Sequence, residues 1–483
     1  MTTNSKKTKI IATLGPASDN PDVLRRLILT GANLIRINAS HLSTASDMAP
    51  KVKLIRKVAK KLDRSVGIIL DLQGPKIRIG DVKQNVSLKE GSFIDIVSHK
   101  VLGSDKEISV SYEGFVNDVN LEEDVFIDDG RVRLKVVEKQ AAKVRCLIVQ
   151  GGPISGQKGV NLPNSQLEIS ALTDKDLLDV KQGVECKVDY IALSFVSCAN
   201  DMTRLRNLLI DLDKKNNIQL IAKLERQQAI DHLDAIIESA DAVMVARGDL
   251  GVEIGFEQVP KYQKMIIRAA NKHIKPVIVA TQMLESTIHD YTATRAEVSD
   301  VANAIYDHCD AVMLSAETAV GIDPVNAVDT MSRICFATDQ HLEQLRSDRS
   351  IVFKNVFHTK TRATSMCKAA DQIAEENQAK AIMAFTSSGN TPLITSKLDS
   401  KFMIIAPTDD IHICNRLSLY RGVIPLLLDR KFDDIVRWTD MIRIAVRQSV
   451  EKGFCLKGDV LVVLAGIPIG KSNGINSIRI ITV

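Results

Sequence analysis

Eight short apolar runs, each ending in charged or hydroxyl residues, set the tightest limit on how this chain can fold. Three of them, KIIATLG (9–15), NLIRINAS (33–40) and VGIILDLQG (66–74), alternate with helix-period segments, DVLRRLILTGA and one ending KLIRKVAKK. Five more, YIALSFV (190–196), IQLIAKLE (218–225), AVMVARGD (242–249), PVIVATQM (276–283) and AVMLSAET (311–318), resume the rhythm after a break. Strand, helix, strand implies a parallel sheet. Eight such units are the count that closes a TIM-type (β/α)8 barrel, whose active site lies at the C-terminal ends of the strands. At those ends stand Arg36, Asp71, Lys223, Glu225, Asp249, Thr281, Ser315 and Glu317.

The break has its own pattern. From about residue 80 to 165 the runs are short and alternating (SFIDIV, EISVSY, DVFIDD, RVRLKVV, KVRCLIV), with a DDG turn at 128–130 and GG at 151–152. These are hairpin signals without helices. After about residue 345 a polar stretch leads to a third region with strands AIMAF, FMIIAP, VIPLLLD, VLVVLAG and SIRIITV. The expected α/β architecture is therefore a barrel over 1–79 and 166–344, an inserted small β-barrel domain over 80–165, and a C-terminal α/β domain over 345–483. A chain of 483 residues can supply a core to each.

Composition removes other classes. A net charge of +4, with basic residues dispersed, argues against a nucleic-acid partner. Eight cysteines without a CxxC pair or zinc-type spacing read as reduced thiols. MTTNSKKTK has no apolar signal core, and no run approaches the roughly 18 apolar residues of a membrane span, so a cytoplasmic location and no membrane partner are expected.

The segment 218–251 carries the chemistry. Lys223 and Glu225, two apart on a strand, point to the same side, and Asp249 ends the next strand. Two carboxylates and a lysine at one rim suit Mg²⁺ or Mn²⁺, which keep open positions for water and phosphorylated ligands, while the lysine faces an anion. Any one of these carboxylates could equally cap a strand end. In FTSSGNT (385–391), hydroxyls and amides at a helix start suit a phosphate, or else simply cap that helix.

AKLER, MVARGDLGVE, VIVATQMLES and VMLSAETA, in that order, resemble the signature strands of pyruvate kinases, and matching segments run from Lys9 to the C-terminus. The resemblance implies transfer of the phosphoryl group of phosphoenolpyruvate to ADP, giving pyruvate and ATP in glycolysis. It implies Glu225 and Asp249 as Mg²⁺ or Mn²⁺ ligands, and Lys223 beside the enolate oxygen. The amides of Arg247, Gly248 and Asp249 would meet the substrate carboxylate, with Thr281 beside the enolate carbon and Arg36 on the transferring phosphate. Arg78 and Lys158, one at each junction of the inserted domain, would contact the ADP phosphates, so that the insert acts as a lid. Asn38, Ser40, Asp71 and the Leu72 carbonyl match potassium ligands. Thr386, Ser387, Ser388, Gly389, Asn390 and Thr391, with Lys471 in GIPIGKSNG, match a loop that holds the phosphate of an allosteric sugar-phosphate or nucleotide effector. A homotetramer is expected.

The sequence departs from the family at one point. Potassium-dependent members carry threonine at the Leu72 position and glutamate at the Lys76 position; an ammonium at Lys76 would replace the charge of K⁺, so K⁺ is not expected to be required. The sole tryptophan, Trp438, lies outside the effector loop. Two rival readings are a metal-dependent lyase or aldolase working through a pyruvate enolate, and an inactive sensor of sugar phosphates.

Overall fold

The computed structural model describes residues 6–347 and 361–483, apart from 43, 45–46, 164, 166–168, 215–216, 433–436 and 468–473. Eight parallel strands, Lys9–Thr13, Leu34–Asn38, Gly67–Asp71, Tyr190–Leu193, Gln219–Leu224, Ala242–Ala246, Val277–Ala280 and Ala311–Leu314, close into a barrel, the first pairing with both the second and the eighth. Most of their residues are buried, as expected for strands covered on both faces.

Helices join the strands, and their starts are written in the sequence. Pro21–Thr30 opens with Asn20, whose side chain accepts from the Asp22 and Val23 amides. Asp174–Glu185 and Arg295–Tyr306 open with the capping boxes Thr173/Asp176 and Thr294/Glu297. Their apolar faces meet the outward side chains of the strands in one continuous core.

Between the third and fourth barrel strands the chain forms a six-stranded sheet and a two-stranded one. Arg78 bridges Gly159 and Ile79 bridges Val110, so residues 78–79 link the two outer strands of the larger sheet and curl it round its own core. The C-terminal region is a separate α/β domain. Its sheet has the order Val423–Leu427, Met403–Thr408, Ala381–Ala384, Val460–Ala465, Ser477–Thr482, with only the last strand antiparallel. This domain packs under the N-terminal end of the barrel. Interior residues such as Tyr190, Met244 and Met313 share a core with Ile404 and Leu419, and Tyr190 donates to the Arg416 carbonyl at 2.8 Å.

Candidate active site

The C-terminal rim gathers an ionic cluster from strands two, three and five. Lys223 Nζ lies 2.9 Å from Glu225 Oε1 and 3.2 Å from Asp71 Oδ1, and it donates to Ser194 Oγ at 2.7 Å. Arg36 Nε donates to Asp71 Oδ2 at 2.7 Å, and its Nη1 reaches Thr13 Oγ1 at 3.2 Å. Burial by itself would raise the Asp71 carboxyl, but Lys223 and Arg36 outweigh it and hold it below the ordinary range. Burial would likewise lower Lys223, yet Asp71 and Glu225 override it and keep the ammonium firmly charged.

Glu225 is fixed from the other side by the Phe195 amide, 2.7 Å from Oε2. Asp249 sits in the first turn of Arg247–Ile254. Its carboxyl is pushed up to about 6, by burial first and by the charge of Glu225 second. A carboxyl raised by a neighbouring carboxylate, with one lysine shared between Glu225 and Asp71, forms a donor set that a hard divalent cation fits. Among the described residues no cluster of three or more His, Cys, Asp or Glu could hold a metal, so such an ion would take two protein carboxylates and draw its remaining ligands from water and substrate.

The ARGD segment divides its labour. The Arg247 guanidinium is spent on scaffolding: it bonds the carbonyls of Thr281 (2.9 Å) and Gln282 (3.1 Å) and pairs with Asp300 at 2.7 Å. This clamp holds two residues with positive φ, Thr281 at 67° and Gln282 at 52°. A β-branched residue rarely adopts that conformation. In it, Thr281 Oγ1 accepts from the Gly248 amide at 2.8 Å and donates to the Ala280 carbonyl at 2.6 Å. Gly248 is not required by packing, since a Cβ there would meet Thr281 only at ordinary contact distance, 3.6 Å.

At the eighth strand, Ser315 and Glu317 serve the fold. Glu317 is fully buried and accepts from the Ser315 and Leu284 amides. Arg78 and Lys158 fall on the two connections between the barrel and the insert, but each is engaged there: Arg78 on the Gln157 carbonyl at 2.7 Å, Lys158 on Asp128 at 2.9 Å.

Three members of the monovalent-cation group already have protein partners. Asn38 Oδ1 accepts from the Ser40 amide, Asp71 is paired as above, and the Leu72 carbonyl accepts from Ser194 Oγ at 2.7 Å. Lys76 makes no hydrogen bond or ion pair with Asp71; its stem passes beside Gly159, and its charge is felt at Asp249. In the C-terminal domain, residues 385–389 form the turn before Asn390–Lys397, whose first two residues are Asn390 and Thr391. Thr386 Oγ1 accepts there from the Gly389 amide at 2.7 Å and the Ser388 amide at 3.3 Å, with Ser387 between them in the turn. Lys471 lies outside the described residues.

Several participants escaped the sequence. Ser194 ends a strand with a hydroxyl and could have been found by that position. Arg226, Glu253 and Asp129 could not, because nothing local marks them. Burial pushes Glu253 up to about 7 where Asn161, on the return strand of the insert, hydrogen-bonds it, and Asp129 of the insert adds negative charge at Asp249.

Comparison with known proteins identifies the family. Residues 5–328 match the family model of the pyruvate kinase barrel domain, and residues 364–481 that of the pyruvate kinase alpha/beta domain. The chain is 40% identical to the pyruvate kinase of Staphylococcus haemolyticus and 39% to that of Geobacillus stearothermophilus, in each case over 98% of this chain and 80% of the relative. The crystal structure of a pyruvate kinase from Cryptosporidium parvum superposes with a TM-score of 0.90 at 32% identity, covering 99% of this chain and 96% of that one. With family models spanning both halves and relatives matched along nearly its whole length, the chain belongs to the pyruvate kinase family.

Proposed function

We propose that this enzyme transfers the phosphoryl group of phosphoenolpyruvate to ADP through the cluster at the rim, without a requirement for K⁺. The observation that carries the reading is Lys223, a buried ammonium kept charged by Asp71 and Glu225 and opening on the same rim as Asp249. Loss of the phosphoryl group leaves negative charge on an enolate oxygen, and a fixed cation in a water-poor site stabilises that charge without reorganising. Mg²⁺ or Mn²⁺ held by Glu225 and Asp249 would supply further positive charge there. Arg36 spends Nε and Nη1 on Asp71 and Thr13, which leaves Nη2 for the transferring phosphate. Thr281 Oγ1, poised between the Gly248 amide and the Ala280 carbonyl, suits orientation of a proton relay rather than donation by itself. The insert, hinged at Arg78 and Lys158, serves as a lid; these two would leave the Gln157 carbonyl and Asp128 for nucleotide phosphates.

Potassium independence is supported by the hydrogen bonds that engage Asn38 and the Leu72 carbonyl, by the pairing of Asp71 with Arg36 and Lys223, and by the side chain of Leu72, which offers no oxygen. Lys76 supports it less directly, because its charge acts on the Asp249 side of the cleft. The 385–391 turn as the seat of a phosphorylated effector, a homotetrameric assembly and a cytoplasmic location complete the reading. The test is ATP formation from phosphoenolpyruvate, ADP and Mg²⁺, with and without KCl. Turnover within about twofold in the two buffers is expected, a change small against the tenfold that 1.4 kcal/mol gives. A steep rise with KCl overturns potassium independence, and absence of ATP formation in both buffers overturns the phosphoryl-transfer reading.

A further inference from the structure

Phe195, just beyond the fourth barrel strand, is a bulky residue at φ 55°, a conformation that persists only where its surroundings impose it. In that conformation its N–H donates to Glu225 Oε2 at 2.7 Å. Its ring is held on two sides. One is Gly74, itself at φ 69°, where a Cβ would come within 2.9 Å of Phe195 Cδ2. The other is Arg226, whose guanidinium carbon lies 5.1 Å from the ring centroid. We propose that Arg226 is a positioning residue for the divalent-ion site: by stacking on Phe195 it fixes the peptide that aims Glu225.

Two facts favour this over a packing role. Arg226 is only 8% exposed, yet its guanidinium donates no hydrogen bond to any described residue, so the stack is its one directional contact. Burial lowers the guanidinium's affinity for its proton, and the charges of Glu253 and Glu225 only partly offset that cost, so an apolar side chain would fill the same space more cheaply unless the orientation of the ring matters. The connection is also short and closed: Glu225 and Arg226 are neighbours in the chain, and the path from the guanidinium runs through the ring of Phe195 and its amide back to Glu225.

This inference rests on the reading of Glu225 as a metal ligand, and the test separates the two. Mn²⁺ binding to the substrate-free protein, followed by electron paramagnetic resonance, is compared among the parent, Glu225→Gln, Arg226→Met, Arg226→Lys, Phe195→Leu and the Arg226→Met/Phe195→Leu double variant, with circular dichroism as the check on folding. Losing a group that orients a metal ligand weakens binding by about tenfold, so Arg226→Met and Phe195→Leu should each do so, and the double variant should be no weaker than the worse single one by more than about twofold. Arg226→Lys, which keeps a cation over the ring and tolerates the site if the methionine does not, should recover most of the affinity. Arg226→Met binding Mn²⁺ like the parent while Glu225→Gln does not, or losses that multiply in the double variant, overturns the proposal. Undiminished binding by Glu225→Gln overturns the metal assignment beneath it.

Discussion

The two ends of this barrel are built from the same eight strands and treat charge in opposite ways. At the N-terminal end, under the C-terminal domain, buried charges are paired across domains from several elements. Asp339 accepts from the amides of Lys7 (2.7 Å) and Thr8 (2.8 Å), from Thr8 Oγ1 (2.9 Å) and from Arg421 (2.6 Å). Lys9 donates to the Val423 carbonyl, and Lys397 pairs with Asp310. At the C-terminal rim, by contrast, Asp249 resists ionisation and Phe195, Thr281 and Gln282 sit in disfavoured conformations. The difference separates stability from function. Ionic groups paired from several elements hold domains together, while a carboxyl that resists ionisation and backbone held in disfavoured conformations stand where a ligand can meet them.

The sharpest test of this contrast is Lys223→Ala. The variant removes the cation shared by Asp71 and Glu225, and turnover should fall by at least about a thousandfold, the scale of losing a preorganised transition-state partner. Initial rates at saturating substrate, with folding verified by circular dichroism, provide the check. Residual activity within tenfold of the parent would place the chemistry elsewhere.

The matching change at the other end is Asp339→Ala. It leaves Arg421 buried without its partner, so stability should drop by about 3 kcal/mol, the usual cost of breaking a buried ion pair from one side. Turnover per folded molecule should stay as it was. Denaturant titration measures the first effect and active-site-normalised rates the second; equal losses in both would erase the distinction between the two ends.

Between these in kind lies the pH response of the metal-free protein. An aspartate whose folded value stands near 6 rather than 3.8 binds its proton more tightly folded than unfolded, so its contribution is favourable when protonated and is lost as pH rises from about 4 to 6. The loss is on the order of 2–3 kcal/mol, and a divalent ion should offset it. Added Mg²⁺ should therefore raise the melting temperature more at pH 7.5 than at pH 5. Lys9 behaves oppositely: burial first, and Lys6 second, lower it to about 7, so its contribution to stability grows as pH rises from about 7 towards 10.5.

How much of this was legible in the sequence follows from the range of each interaction. The eight strands were readable because a strand covered on both faces must be apolar throughout, and that run is local. Lys223 and Glu225 were readable because two-residue periodicity sets their common facing; Asp249, expected at a strand end, lies instead in the first turn of the helix that follows, because the strand stops at Ala246. The roles of Arg226 and Arg247 were not, since each acts across to a neighbouring strand end, Arg226 back to Phe195 and Arg247 on to Thr281, and no spacing encodes that register. Lys76 shows the same limit: its place after the third strand suggested Asp71 as neighbour, while the backbone leads its side chain towards Gly159 and Asp249.

The smallest change expected to tell is Gly248→Ala. Alanine is the better helix residue by up to about 1 kcal/mol, and its Cβ has room against Thr281 at 3.6 Å, so the variant should be as stable as the parent or slightly more. If the glycine is kept so that a substrate carboxylate can approach the backbone, the methyl group should raise the KM for phosphoenolpyruvate about tenfold while costing the fold nothing, as a crowded anion site behaves when binding alone is impaired. Unchanged KM would mean that the open side of Gly248 faces only solvent. A raised KM beside undiminished stability would mark this glycine as a residue of the rim in the same sense as Asp249, tolerated by the fold and needed by the ligand.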